Sequence, residues 1–300
     1  MKKYFLLFTI LFLQIIIYPQ EVALSFDDAP RGDGAYFTGL ERTKTLIKDL
    51  KEANVKQVIF YCVTNQIDTI GNKRLEMYSN AGYLIANHSD THRSLNNISA
   101  KEYIKDIQRA DSILKKYKTY TKLFRYPYLH EGKTIEKRDS VRNALSKMNY
   151  RNGYVTIDDY DWYIAKIFKD AYSKSKQIDF ENFKNAYVNI LWEGIKFYDD
   201  MAKKVLGRSP KHVLLLHEND VAALFIKDLI KHIRESGGKI ISPAEAYKDS
   251  IADYIPNVLM NNQGRIAAIA KEKDYKGKYS HVSESDEYLD KYFNENGIIK

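Results

Sequence analysis

Short apolar runs rich in branched and aromatic residues alternate along this chain with longer runs of helical spacing, and that alternation narrows its fold more than any other property. Val22 to Phe26, Val58 to Val63, Tyr83 to Ala86, Leu123 to Arg125, Tyr154 to Ile157, Val213 to Leu216 and Lys239 to Ile241 read as strands. Residues 41–53, 72–81, 134–148 and 221–235 have helical spacing, and a long helix is expected from about Asp179 to Leu206. Ser99 and Glu102 form a capping box for a further helix that carries Tyr103, Ile107 and Tyr117. Gly237-Gly238 stops the helix before the last strand. Repeated strand–helix units demand a parallel sheet, because parallel neighbours are joined only by long crossovers. Asp27, Asp28, His88, Arg125, Asp161 and His217, the residues capable of chemistry, all follow strands. Functional side chains gather at the carboxyl ends of strands in α/β barrels, so a closed or nearly closed barrel is expected.

The first strand ends in adjacent carboxylates, Asp27 and Asp28. Further on the chain reads Asn87-His88-Ser89-Asp90-Thr91-His92. Two like charges this close raise one pKa unless a cation intervenes. Asp28, His88 and His92 supply a carboxylate and two imidazoles, a set that suits Zn²⁺ with one open position and also accepts Co²⁺, Ni²⁺ or Mn²⁺. On one helical turn the H-x-x-x-H pair would put both rings on one face. Asp27 remains free to take a proton from the attacking water. This is the inventory of a metal-dependent hydrolase.

Residues 1–20 read as a secretory signal, with Lys2 and Lys3 before the apolar stretch Tyr4–Ile17. That stretch is short of the ~20 residues that span a bilayer, so no stable membrane span is expected after cleavage, and the location is secreted or periplasmic. The formal net charge is +8, of which Lys2 and Lys3 supply two, leaving +6. These charges are scattered over helix faces, which argues against nucleic acid as a partner. The single cysteine, Cys62, lies in an apolar run and is expected to be a buried thiol with no disulfide partner. Residues 21–250 form the expected catalytic domain. Residues 251–300 hold no further strong strand and read as an extension packed on the barrel, with a polar tail from about Tyr275.

Taken in order, five segments resemble the motifs of the polysaccharide deacetylase family, the family 4 carbohydrate esterases with a NodB-type domain. They are Ser25-Phe26-Asp27-Asp28-Ala29-Pro30, His88-Ser89-x-x-His92, Phe124-Arg125-Tyr126-Pro127-Tyr128, Asp158-x-x-Asp161-Trp162 and Leu215-Leu216-His217. The resemblance implies a distorted (β/α)7-type barrel, here with a helical insertion before the last motif and a helical C-terminal extension. It implies Asp27 as general base, Asp28, His88 and His92 as metal ligands, and Arg125 as the group that holds Asp27. It further implies the Tyr128 backbone N–H as an oxyanion donor, and His217 as general acid oriented by Asp161. Pro127, Trp162, Leu215 and Leu216 would wall the acetyl pocket. The substrate would be an N-acetylated polysaccharide or oligosaccharide of chitin or peptidoglycan type, or an O-acetylated one of xylan type. A non-catalytic carbohydrate-binding protein and a small-molecule amidase on the same barrel are the alternatives. Three features depart from the family pattern: Ala29 stands where Gly is common, Leu129 stands where Gly is usual, and a long segment separates Trp162 from His217. Its Phe183, Tyr187, Trp192 and Tyr198 read first as a buried helical face.

Overall fold

The computed structural model describes residues 20–300; the expected signal segment lies outside them, apart from its last residue. Strand β1 (Glu21–Ala29) is central, with β6 (His212–His217) on one side and β2 (Ile59–Cys62) on the other. The sheet continues through β3 (Leu84–Asn87), β4 (Tyr120–Phe124) and β5 (Arg151–Asn152), while β7 (Lys239–Ile240) pairs with the start of β1. Every pairing is parallel. Helices α1 (Gly39–Glu52), α2 (Thr69–Asn80), α3 (Ala100–Leu114), α4 (Ile135–Lys147) and α7 (Asp220–Glu235) supply crossovers. The expected Ser99–Glu102 capping box is present at the start of α3.

The sheet curls toward closure, and its seam differs from the expected strand at Tyr154–Ile157. Only Arg151–Asn152 joins the ladder with β4. The chain then crosses the gap, and Ile157 makes an isolated parallel bridge to Leu214 of β6. Thr156 N–H donates to Val213 O at 3.0 Å and Leu215 N–H to Ile157 O at 3.1 Å. One segment therefore touches both edges without forming a full strand. Gly153 makes the crossing possible: a Cβ there would sit 2.3 Å from the Tyr61 hydroxyl inside the barrel.

Between that seam and β6 come α5 (Asp161–Ser173) and α6 (Phe180–Leu206). Asp179 caps α6 and Gly207, at φ 73°, ends it, as the expected boundaries required. Phe183, Tyr187 and Tyr198 are fully buried and Trp192 partly so, which makes this face core and not a substrate wall. After β7, the short α8 (Pro243–Ala246), α9 (Arg265–Glu272) and α10 (Asp286–Glu295) follow, with α9 packed on α6 and α10 on α5. The expected polar tail is corrected here. Leu289, Phe293, Ile298 and Ile299 are buried, and Ile299 forms an antiparallel bridge with Ile178. A few apolar residues at helical spacing, set among many charges, return the terminus to the core. Among the described residues no helix is long and apolar enough to cross a membrane. Cys62 is a free, fully buried thiol, and burial pushes its pKa up.

Candidate active site

Side chains alternate along a regular strand, so Asp27 and Asp28 should point to opposite faces. They do not, because the β1–β2 register shifts between Phe26 and Ala29 and Asp28 adopts φ 67°. The irregularity turns both carboxylates toward His88, whose Nε2 lies 3.5 Å from Asp27 Oδ2 and 3.6 Å from Asp28 Oδ1. His88 follows β3, and its Nδ1 faces the Arg125 carbonyl at 2.8 Å. Donating there leaves the Nε2 lone pair facing the carboxylates. Burial lowers the His88 pKa to about 4, so the ring is neutral near pH 7.

The expected helical turn at residues 88–92 is absent: they form a loop with Ser89 at φ 70° and His92 at φ 53°. Asp106 of α3, fully buried, shapes it by accepting from Asp90 N–H (3.1 Å), Thr91 N–H (3.0 Å) and the Thr91 hydroxyl (2.8 Å). The loop brings the two imidazole centroids to 4.9 Å and His92 Nε2 to 3.1 Å from Asp28 Oδ1. Ligand atoms of Asp28, His88 and His92 all lie within 4.8 Å of one another. Asp28 Oδ1 is buried, yet no donor meets it in hydrogen-bond geometry. Burial opposes its ionisation, but the His92, His217 and His88 imidazoles hold its carboxyl well below the usual range. A buried, ionised oxygen without a donor, beside two imidazole nitrogens, fits a divalent cation.

Asp27 is held from the barrel interior. Arg125 Nη1 donates to Asp27 Oδ1 at 2.8 Å, and Nη2 reaches Ser25 Oγ and the Tyr247 hydroxyl, each at 3.2 Å. Arg125 Nε donates to the Gly153 carbonyl, and the guanidinium lies 4.0 Å from the Tyr61 ring centroid. Every nitrogen of the buried cation is thus engaged, and Asp27 Oδ2 is left toward His88.

His217 is the register partner of Asp27 across β1 and β6. Its Nδ1 meets Asp161 Oδ1 at 2.6 Å, while Asp161 Oδ2 accepts from the His217 N–H (2.9 Å) and Asn219 Nδ2 (3.0 Å). Burial alone would lower the His217 pKa, but Asp161, with further help from Asp28 and Asp27, raises it to about 9. Tyr128 sits in a turn with φ 60° and is 55% exposed, its ring 4.7 Å from that of His92. The next two N–H groups donate to Tyr126 and Pro127 carbonyls, while among the described residues the Tyr128 N–H makes no such bond. Leu129 adopts φ 53°, which explains why glycine is usual there: a side chain in the left-handed region is strained. Pro127 and Leu215 are buried; Trp162, at the start of α5, is 39% exposed and packs on Tyr160 and Tyr163.

Several residues escaped the sequence reading. Tyr61, Ser25 and Tyr247 hold Arg125, and Asn219 holds Asp161. Glu218, fully buried beside His217, accepts from Arg31 N–H (2.9 Å), Arg42 Nε (3.3 Å), the Tyr78 hydroxyl (2.9 Å) and Arg74. Arg42 also donates to Asp220 (3.0 Å) and to the Arg31 and Gly32 carbonyls, tying the loop after Asp28 to the turn after His217. Asp106 and Arg42 left a trace in the sequence: each is a charged residue among the apolar positions of an amphipathic helix.

Residues 18–153 match the family model described as polysaccharide deacetylase. A peptidoglycan-N-acetylglucosamine deacetylase of Bacillus cereus is 30% identical over 145 residues, 47% of this chain and 46% of that protein, so the match spans about half the length of this curated relative. Two solved structures share the fold. One is a family 4 carbohydrate esterase described as a pseudoenzyme, from Bacillus anthracis, with TM-score 0.53, 17% identity and coverage of 76% of this chain and 65% of that one. The other is a family 4 carbohydrate esterase from Streptomyces lividans in complex with acetate, with TM-score 0.50, 20% identity and coverage of 74% and 91%. The family match and the order of the motifs agree: over residues 18–153 the chain is similar to the polysaccharide deacetylase family.

Proposed function

We propose that the protein removes acetyl groups from an acetylated polysaccharide, using a divalent metal, Zn²⁺ by preference, held by Asp28, His88 and His92. The observation that carries this reading is the donor-less Asp28 Oδ1 among imidazole nitrogens, flanked by Asp27–Arg125 and His217–Asp161. A bound cation of this kind supplies Lewis acidity and lowers the pKa of water. Asp27, oriented by Arg125, takes the proton of the attacking water. The Tyr128 N–H donates to the developing oxyanion. His217 protonates the leaving nitrogen or oxygen from Nε2, while Asp161 fixes its tautomer through Nδ1. Pro127, Trp162 and Leu215 wall the acyl group. The Bacillus cereus relative supports an N-acetylated, peptidoglycan-like substrate and, with the composition of residues 1–20, an exported protein.

The decisive assay is acetate release from chitin oligomers, peptidoglycan and acetylxylan. Chelation is expected to abolish release, and Zn²⁺ or Co²⁺ to restore it; full activity in protein shown to be metal-free overturns the proposal. A second outcome concerns pH. An acid must keep its proton, so the raised pKa of His217, about 9, sets the alkaline limb of the rate profile. Asp161→Asn removes the charge that favours the protonated ring, and the alkaline limb is expected to move to lower pH. An unmoved limb with metal still bound removes His217 from the role of proton donor.

A further inference from the structure

A cavity of about 40 Å³ lies between the turn after β4 and residues 256–268 of the C-terminal segment. Three arginines line it, against one acid, Glu131. Arg125 is spent on Asp27. Arg142 is spent on Glu131, through Nε (2.9 Å) and Nη2 (2.6 Å), and Asn152 takes the other Glu131 oxygen at 3.1 Å. Arg265 is left. It is 6% exposed, and its Nη1 donates to the Ile251 (3.1 Å) and Tyr254 (2.7 Å) carbonyls, which carry no charge. Its guanidinium stacks 4.4 Å from the Tyr154 ring centroid. Among the described residues no carboxylate lies within the 4.0 Å of an ion pair with it. Arginine is almost never this buried without a counter-charge. Burial pushes the Arg265 pKa down, with Glu131 offsetting this only in part.

Two more groups lining the cavity lack partners. Tyr126 and Tyr154 are both more than nine-tenths buried, and among the described residues neither hydroxyl has a hydrogen-bond partner. Burial raises the Tyr126 pKa, and Glu131, Arg142, Arg138 and Arg265 are the charges near enough to act on it. Two tyrosines with unpartnered hydroxyls and an arginine without an ion-pair partner thus line a space with room for about three waters, at ~10–15 Å³ each. Water would satisfy the hydroxyls and leave the charge unbalanced. A dianion would over-compensate one guanidinium, and a sugar is too large.

We propose that this cavity binds a small monovalent anion, chloride or a short carboxylate such as acetate, held by Arg265, Tyr126 and Tyr154. The anion would join the C-terminal segment to the turn that carries Tyr126 and Leu129. Acetate is also the product of the proposed reaction, but the site does not rest on that reading.

The test is thermal unfolding of the full chain at constant ionic strength, with bulky gluconate replaced stepwise by chloride in one arm and acetate in the other. A ligand specific to the folded state raises Tm along a saturable curve, and the arm with the lower midpoint names the occupant. Tyr126→Phe, which removes a donor without changing shape, should weaken the midpoint roughly tenfold or more and leave Tm in gluconate near the parental value. Arg265→Gln should abolish the response. Crystals soaked in bromide should show an anomalous peak between Arg265 and Tyr126. Superposed melting curves in all three anions overturn the proposal. So does an anion response that Tyr126→Phe leaves unchanged, because the anion then binds elsewhere.

Discussion

Asp27→Asn is expected to lower acetate release by about 10²–10⁴-fold, the range for loss of a general base, while the protein keeps its metal. Distance alone does not separate base from ligand here. His88 Nε2 is 3.5 Å from one aspartate and 3.6 Å from the other. The surroundings separate them. Asp27 Oδ1 accepts from Arg125, whereas Asp28 Oδ1 has no donor and lies 3.1 Å from His92 Nε2. Asparagine keeps an oxygen for Arg125, so the fold should survive. Asp28→Asn and His88→Ala should lose metal and activity together. Metal content by mass spectrometry, read beside the rate, distinguishes the cases. Parental activity in Asp27→Asn refutes the assignment, and loss of its metal would make Asp27 a ligand.

Glu218→Ala is expected to cost about 3–5 kcal/mol of folding stability, the usual result of removing one partner from a buried ion cluster. Glu218 is fully buried between Arg42 and Arg74, both nearly so, and only Asp220 would remain to balance them. The same substitution frees the Arg31 N–H and loosens the loop that follows Asp28. Glu218→Gln keeps the shape and one acceptor oxygen, and should lose less. Urea denaturation measures both: the midpoint falls and the slope stays constant if the folded state remains equally compact. A change below about 0.5 kcal/mol in Glu218→Ala would show that water reaches the cluster and screens it.

The parallel α/β architecture was legible because βα alternation leaves few ways to pair strands. The Ser99 capping box, the Asp179–Leu206 helix and the buried Cys62 were legible for a related reason: each depends on neighbours within a few residues. The chemically able residues were visible as a set, because strand ends collect them. Their arrangement was not visible. Residues 88–92 carry helical spacing but form a loop, since Asp106, folded against them from α3, satisfies their N–H groups better than a lone helical turn could. Tyr154–Ile157 has strand composition yet makes only a bridge, because at the barrel seam each edge offers a partner along a short stretch. The polar C-terminal stretch docks through Leu289, Phe293 and Ile299 onto surfaces that exist only once α5 and α6 are packed. Local pattern thus determined the elements and the inventory of reactive groups. The tertiary structure decided which carboxylate lacks a donor, which arginine is paired and which is not, because burial and counter-charge come from residues far apart in the chain.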